Sequence, residues 1–174
     1  MIVKMTGELE YTTFNTRMGW VGILGSPKGL RCTTLPQPSS KEARELLGDQ
    51  VNYAARSHNR FNGLIERLRA YFNGGKIDFP DKLDLSGATP FQRKVWEATR
   101  LIPYGKTRSY NWVAEQIKKP LASRAVGQAL AQNPLPIIIP CHRVVATNGK
   151  LGGFTGGTEI KRQLLNLETQ AAIR

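Results

Sequence analysis

Ser109-Tyr110-Asn111-Trp112-Val113-Ala114-Glu115-Gln116-Ile117-Lys118-Lys119-Pro120-Leu121-Ala122-Ser123-Arg124-Ala125-Val126-Gly127-Gln128-Ala129-Leu130 is the stretch that decides the fold of the second half of this chain. Ser109 is placed to cap a helix running to Ile117. Lys118-Lys119-Pro120 breaks that helix, because proline brings no backbone donor and clashes with the preceding turn. A second helix resumes at Ser123 and ends near Asn133-Pro134. Two short helices across a tight break have the outline of a helix-turn-helix, and also of any helix pair in a bundle. Ala125, Gly127 and Ala129 make part of the second helix smooth enough for another surface to come close. Arg124 stands at its start, either projecting into a groove or simply solvated.

Upstream, Thr89 is followed by Pro90 and Gln92: a cap, a proline in the first turn and a capping-box partner. Phe91, Val95, Trp96 and Ala98 to Leu101 carry the apolar positions until Pro103-Tyr104-Gly105 turns the chain. The N-terminal part reads differently. Residues 10–15, 20–24 and 30–35 are rich in β-branched and aromatic side chains, with Gly19 and Gly25-Ser26-Pro27-Lys28-Gly29 as punctuation, which predicts a meander of hairpins. Ser39 and Ser40 can cap a short helix over 41–47. Phe61, Leu64, Ile65, Leu68 and Phe72 recur at helical spacing before Gly74-Gly75. Residues 78–87, with Pro80, read as an extended linker. The predicted architecture is α/β (α+β): a small sheet-and-helix domain over 1–79, a linker over 80–88, and a mostly helical domain with the helix-turn-helix over 89–174.

Downstream lies Ile137-Ile138-Ile139-Pro140-Cys141-His142-Arg143-Val144-Val145, which reads as a buried apolar strand ended by Pro140. A thiol beside an imidazole is the raw material of a nucleophile, although an inert buried cysteine fits the residue types equally well. Successive strand residues face opposite ways, so the pair can cooperate only if the chain bends there. A glycine-rich loop over 147–157 follows, without a phosphate-loop or dinucleotide-binding spacing. Thr158 then caps a terminal helix with Ile160, Leu164 and Leu167 on its apolar stripe. Glu168, four residues after Leu164, shares that stripe or lies at a frayed end. Facing inward it needs a partner, and His142 is the natural one.

The chain has 174 residues, 40% hydrophobic and 22% charged, as expected of a globular protein with a real core. Lys and Arg outnumber Asp and Glu by 25 to 13, spread along the chain, which suits a structured nucleic-acid-binding face. No apolar run is long enough to span a membrane and the N-terminus carries no signal-peptide pattern, so a cytoplasmic protein is expected. Cys32 and Cys141 are too few for a disulfide framework, and Cys32 reads as structural.

Together these residues resemble the DNA-repair alkyltransferases that act on 6-O-alkylguanine, the methylated-DNA–protein-cysteine methyltransferases. The resemblance runs from about Thr89 to Glu168. It rests on Pro140-Cys141-His142-Arg143-Val144, Ser123-Arg124-Ala125-Val126-Gly127, Asn133-Pro134 and the glycine-rich loop leading to Glu168. It implies a ribonuclease-H-like roll for the N-terminal domain. It also implies that Cys141 takes the alkyl group from the guanine oxygen once, as a stable thioether, with His142 drawing off the thiol proton through a water and Glu168 holding the imidazole. Asn133 would stiffen the link between helix and active site. Tyr110 would crowd a phosphate and donate a proton to the departing guanine, and Arg124 would fill the space of the flipped base. Ser123, Ala125, Gly127 and Arg93 join the implied DNA contacts, made in the minor groove. Pro136, Gly152, Phe154, Thr155 and Gly156 make up the implied alkylguanine pocket.

Phe154 stands where many relatives carry tyrosine, so the stacking face is kept and a hydroxyl is lost. The zinc ligands of some relatives have no counterpart, since Cys32 and His58 alone do not suffice. No metal or other cofactor is expected, and the implied partner of the monomer is double-stranded DNA carrying the lesion. Three rivals remain: a non-repairing lesion sensor, in which the cysteine is replaced, a helix-turn-helix regulator, and a thiol hydrolase.

Overall fold

The computed structural model describes residues 8–173, with side chains described through Gln170. They fall into two compact units, Met1–Leu85 and Ser86–Arg174.

The first unit is built on a four-stranded sheet, β1 (Glu10–Thr16), β2 (Gly19–Ser26), β3 (Gly29–Thr33) and β4 (Ala55–Arg56), in the order β3-β2-β1-β4. The meander is antiparallel and β4 adds to β1 in parallel. Strand alternation assigns a helix to each face. Thr13 pairs with Gly22 and Tyr11 with Leu24, and this face lies under α1 (Ser40–Leu46), where Leu47 meets Leu24 and Ser40 Oγ meets Thr13 Oγ1 at 2.7 Å. Phe14 pairs with Val21 on the other face, and Arg69 of α2 (Asn62–Phe72) sits over the Phe14 ring. Ser39 caps α1 through the Glu42 amide. Gly22 has a packing reason: a Cβ there would lie 2.9 Å from Ala43 O.

The segment that reads as a free linker is fastened to this unit as far as Asp84. Arg67 holds both oxygens of Asp81, Leu83 bridges to Leu30, and buried Asp84 accepts from Ser26 Oγ at 2.5 Å with Arg31 at 3.9 Å. A carboxylate placed inside requires such partners, and they draw the chain down onto the sheet edge.

The second unit contains α3 (Pro90–Thr99), α4 (Tyr110–Gln116), α5 (Ser123–Ala131) and α6 (Thr158–Ile173). The capping box at Thr89 and Gln92 is formed, and Ser109 caps α4 through the Trp112 amide. Helices α3, α4 and α5 pack on one another around Val95, Val113, Ala114 and Val126. Of the small residues Ala125, Gly127 and Ala129, the one whose close surface lies inside the unit is Ala129, buried against α3, where its carbonyl accepts from Trp96 Nε1 at 2.9 Å. Ala125 and Gly127 keep a half-exposed face. A short parallel pair joins β5 (Arg108–Ser109) to β6 (Val144–Val145), with Arg108 opposite Val144. That pairing sets the start of α4 beside the Cys-His run.

Residues 137–139 do not form the expected strand. Ile139 N donates back to Leu135 O, Pro136 bridges Ile139, and Ile137 has φ +75°. Pro134, Pro136 and Pro140 each remove a ladder donor, which disqualifies the segment from a sheet interior. Asn133 takes the place of a neighbouring strand: its Oδ1 accepts from Leu135 N and its Nδ2 donates to Ile139 O, both at 2.9 Å. The excess of positive charge is also less even than it reads. Residues 86–174 carry 13 Lys and Arg against four Asp and Glu, whereas residues 1–85 carry 12 against nine.

Two glycine substitutions separate strain from collision. At Gly29, φ +142°, a Cβ would lie 2.4 Å from Lys82 O, while at Gly48, φ +85°, it would meet nothing within 4 Å. In urea titrations Gly48→Ala is expected to cost about 2 kcal/mol, the backbone penalty alone, because φ +85° with ψ −177° is a region open essentially to glycine. Gly29→Ala should cost more, because the Leu83 strap must also lift.

Candidate active site

The bend that the Cys-His pair requires is a 3-10 turn, Cys141–Arg143, entered from Pro140. At about three residues per turn, successive side chains diverge by roughly 120°. Cys141 therefore faces one way and His142 another. Cys141 lines a cavity of about 580 Å³, and it is 8% exposed. Asn133 Nδ2 lies 3.1 Å from its Sγ. His142 is fully buried, with Nε2 2.5 Å from Glu168 Oε2. Glu168 lies inward on α6, as the stripe predicted, and is 1% exposed.

Two residues that sequence reasoning passed over complete the cluster. Arg143 donates through Nε to Glu168 Oε1 at 2.8 Å, through Nη2 to Oε2 at 3.2 Å and through Nη1 to Ile102 O at 2.8 Å. Lys161 is fully buried, donating to Val144 O at 2.7 Å and Gly153 O at 3.2 Å. Its ammonium is 5.8 Å from the Tyr110 ring centroid and 5.9 Å from that of Phe154. The signal for Lys161 was available: positions 161, 164 and 168 share one helical stripe.

The expected site residues divide into groups. Tyr110, Arg124, Gly127, Phe154 and Thr155 line the cavity with Cys141, joined by Gln128, Leu130, Ala131 and Gly153. His142, Glu168 and Asn133 stand behind the thiol. Gly152 supports the wall from outside: at φ +73°, a Cβ there would come within 2.6 Å of Tyr110 Oη. Pro136 belongs to the coil before the turn, and Gly156 is exposed in the turn leading to α6. Ser123 and Ala125 are half-buried on α5, and Arg93 is exposed on α3, all outside the cavity lining. Thr155 Oγ1 donates to Ala131 O at 2.9 Å, tying the glycine-rich loop to the end of α5. Among the described residues no group of His, Cys, Asp and Glu is arranged to hold a metal.

The electrostatics define resting states. Burial pushes the Cys141 thiol above its ordinary pKa, and the Asn133 hydrogen bond and the Lys161 charge only partly offset this. At neutral pH it is a thiol, so attack requires a base. Burial also lowers His142 against the pull of Glu168, with Arg143 and Lys161 lowering it further, so the imidazole rests neutral. Burial alone would raise Glu168; the hydrogen bond from His142 and the hydrogen bonds and charge of Arg143 outweigh it and hold the carboxylate at about 2. Burial pulls Lys161 down to about 8. Since Nε2 is bound to Glu168, any proton exchanged with the thiol must use Nδ1. The arrangement is a protonated nucleophile at a cavity wall, with a neutral, oriented base behind it.

These shifts fix a pH dependence of stability. Glu168 has a folded pKa below its unfolded one, so its contribution is present above about 4.5 and lost as pH falls toward about 2. That contribution is on the order of 3 kcal/mol. Glu168→Gln should flatten this acid limb in denaturant titrations between pH 5 and 2, and an unchanged limb would refute the assignment.

The comparisons with known proteins agree with this geometry. Residues 90–170 match the family model described as the DNA-binding domain of 6-O-methylguanine DNA methyltransferase. A methylated-DNA–protein-cysteine methyltransferase of Mycolicibacterium paratuberculosis is 53% identical over 160 residues, 92% of each chain. The solved structure of Mycobacterium tuberculosis OGT in complex with DNA superposes with a TM-score of 0.78 at 40% identity, covering 93% of this chain and 94% of that one. An O6-methylguanine DNA methyltransferase from Methanococcus jannaschii gives a TM-score of 0.63 at 30% identity, covering 91% and 93%. With a buried Cys-His-Glu cluster at a cavity and this identity across nearly its whole length, the chain belongs to the methylated-DNA–protein-cysteine methyltransferase family.

Proposed function

We propose that this protein repairs DNA directly, moving an alkyl group, methyl above all, from the 6-oxygen of guanine to Cys141. The observation that carries this reading is a thiol held protonated at the wall of a cavity, next to a base that rests neutral. Sγ attacks the alkyl carbon, forming the S–C bond as the C–O bond breaks. The thiol proton passes through a water to Nδ1 of His142, which Glu168 holds from the other side. The guanine leaves with the electrons of the broken bond and takes a proton from Tyr110. Nothing in the cluster offers a route to cleave the thioether, so each molecule reacts once.

Getting the base to the thiol is the task of α5. Arg124 and Gly127 line the cavity mouth, and the basic charge concentrated in residues 86–174 suits the phosphates of double-stranded DNA. In this reading α5 enters the minor groove, Arg124 occupies the space of the extruded guanine and Phe154 stacks on it. Residues 89–174 act as the DNA-binding and transfer domain, and 1–79 as a ribonuclease-H-like roll. The protein works as a monomer in the cytoplasm. Among the described residues no helix is long and apolar enough to cross a membrane.

Mixing the protein with a duplex carrying 6-O-methylguanine should add one methyl group per molecule, located on the Cys141 peptide by mass spectrometry. Bound but unmodified protein would favour a lesion sensor, and repeated turnover would favour a thiol hydrolase. Cys141→Ser should keep duplex affinity and abolish transfer. Arg124→Ala should slow transfer from duplex by tenfold or more, on the order of 1.4 kcal/mol, and leave reaction with the free alkylated base nearly unchanged. Equal losses on both substrates would end the flipping role.

A further inference from the structure

Arg143 has no step in the transfer described above, yet it is buried at the same carboxylate as the base. Its fork donates to Oε1 and Oε2 of Glu168, and Oε2 is also the oxygen that holds His142. Arg143, Glu168 and His142 are 7%, 1% and 0% exposed. One anion thus serves two groups able to be cations, in a place with almost no water.

A buried carboxylate against an imidazole, taken alone, favours the imidazolium, because opposite charges attract strongly where solvent is excluded. An imidazolium cannot accept the thiol proton. A guanidinium on the same carboxylate reverses that preference. It is always charged, so protonating His142 as well would leave an uncompensated positive charge in the core. The other groups facing the imidazole point the same way. Lys161, also on α6, adds a second cation that disfavours protonation, and among the described residues Glu168 is the group that favours it. Tyr104, from the loop after α3, lies 5.6 Å beneath the Arg143 guanidinium as an un-ionised phenol, and Cys141 on the same turn is a neutral thiol.

We propose that Arg143 is a positioning residue for the proton transfer: by taking up the charge of Glu168 it keeps His142 neutral, in the form that receives the proton from Cys141. Glu168 then orients the imidazole without loading it in advance. The carboxylate's pull is fully felt only once the proton has arrived and the thiol has become a thioether.

This inference rests on the alkyl-transfer reading, and its test has one arm that does not. The chain contains two histidines, and His58, exposed in the first unit, serves as an internal reference. NMR titration of both rings in the parent, Arg143→Gln and Arg143→Lys is paired with methyl transfer from duplex over the same pH range. In Arg143→Gln the proton affinity of His142 should rise by about tenfold or more. The acid limb of transfer should move up with it, and the rate should recover at high pH. Arg143→Lys, which keeps the charge, should stay near the parent in both. A His142 titration in Arg143→Gln that overlays the parent overturns the proposal, as does a transfer loss of the same factor at every pH. If Arg143→Gln does not fold, the double variant with Glu168→Gln removes both charges together. His142 titrating there as in the parent supports the compensation, and an upward displacement overturns it. A parent protein that transfers no methyl ends the repair reading while the histidine titration still judges Arg143.

Discussion

The structure of the second unit turns on one buried carboxylate. Glu168 accepts from His142, from two nitrogens of Arg143 and from the Gly105 amide at 3.1 Å. Those donors come from two places in the chain, the turn after Pro140 and the loop after α3, and the carboxylate comes from α6. Burying a charge is unfavourable by several kcal/mol unless every partner is in place. The three segments therefore converge or the site does not form. Fold and chemistry share this one constraint: the carboxylate that orients the base is also what pins the turn carrying the nucleophile.

The state of the nucleophile follows from the same burial. Many reactive cysteines are kept as thiolates by nearby cations or a helix N-terminus. Cys141 is not; its surroundings favour the thiol, and Asn133 and Lys161 moderate this without reversing it. Under the proposed single transfer such restraint is useful, since a standing thiolate would be spent on any electrophile that entered the cavity. In the proposed transfer the neutral imidazole is what allows proton removal to wait for the substrate.

Local chemistry was legible in the sequence wherever one residue type decides one backbone feature. The caps at Ser39, Thr89 and Ser109, the break at Pro120 and the inward position of Glu168 all emerged at their expected places. What escaped depends on partners distant in sequence. Residues 137–139 have the composition of a strand, and only the hydrogen bonds from Asn133 and the loss of three ladder donors make them a coil. That the surface approaching Ala129 is α3, with Trp96 beside it, is not legible in the small residues alone. The extended segment before Ser86 reads as a linker because nothing local reveals that Asp84 will be covered by Ser26 and Arg31. Arg143 and Lys161 were passed over as site residues for the opposite reason: basic side chains are presumed solvated unless something shows them to be inside, as the stripe shared with Leu164 and Glu168 does for Lys161.

Lys161 shows why that presumption matters. Burial lowers it to about 8, so the ammonium persists at neutral pH at a cost in stability. What it obtains in exchange is two carbonyls, Val144 O just beyond the catalytic turn and Gly153 O in the glycine-rich loop, and the faces of Tyr110 and Phe154. Tyr110 Oη approaches the same Gly153 carbonyl at 3.4 Å, so the loop is held at one point from two sides. Glu168 lies seven positions after Lys161, about two turns of α6, which places both on the stripe that faces inward. One helix thereby fixes the cavity twice: Glu168 sets the turn that carries the thiol, and Lys161 sets the loop that covers it. Substitutions that shift or rotate α6 must disturb nucleophile and pocket together, even though among the described residues no α6 side chain lines the cavity.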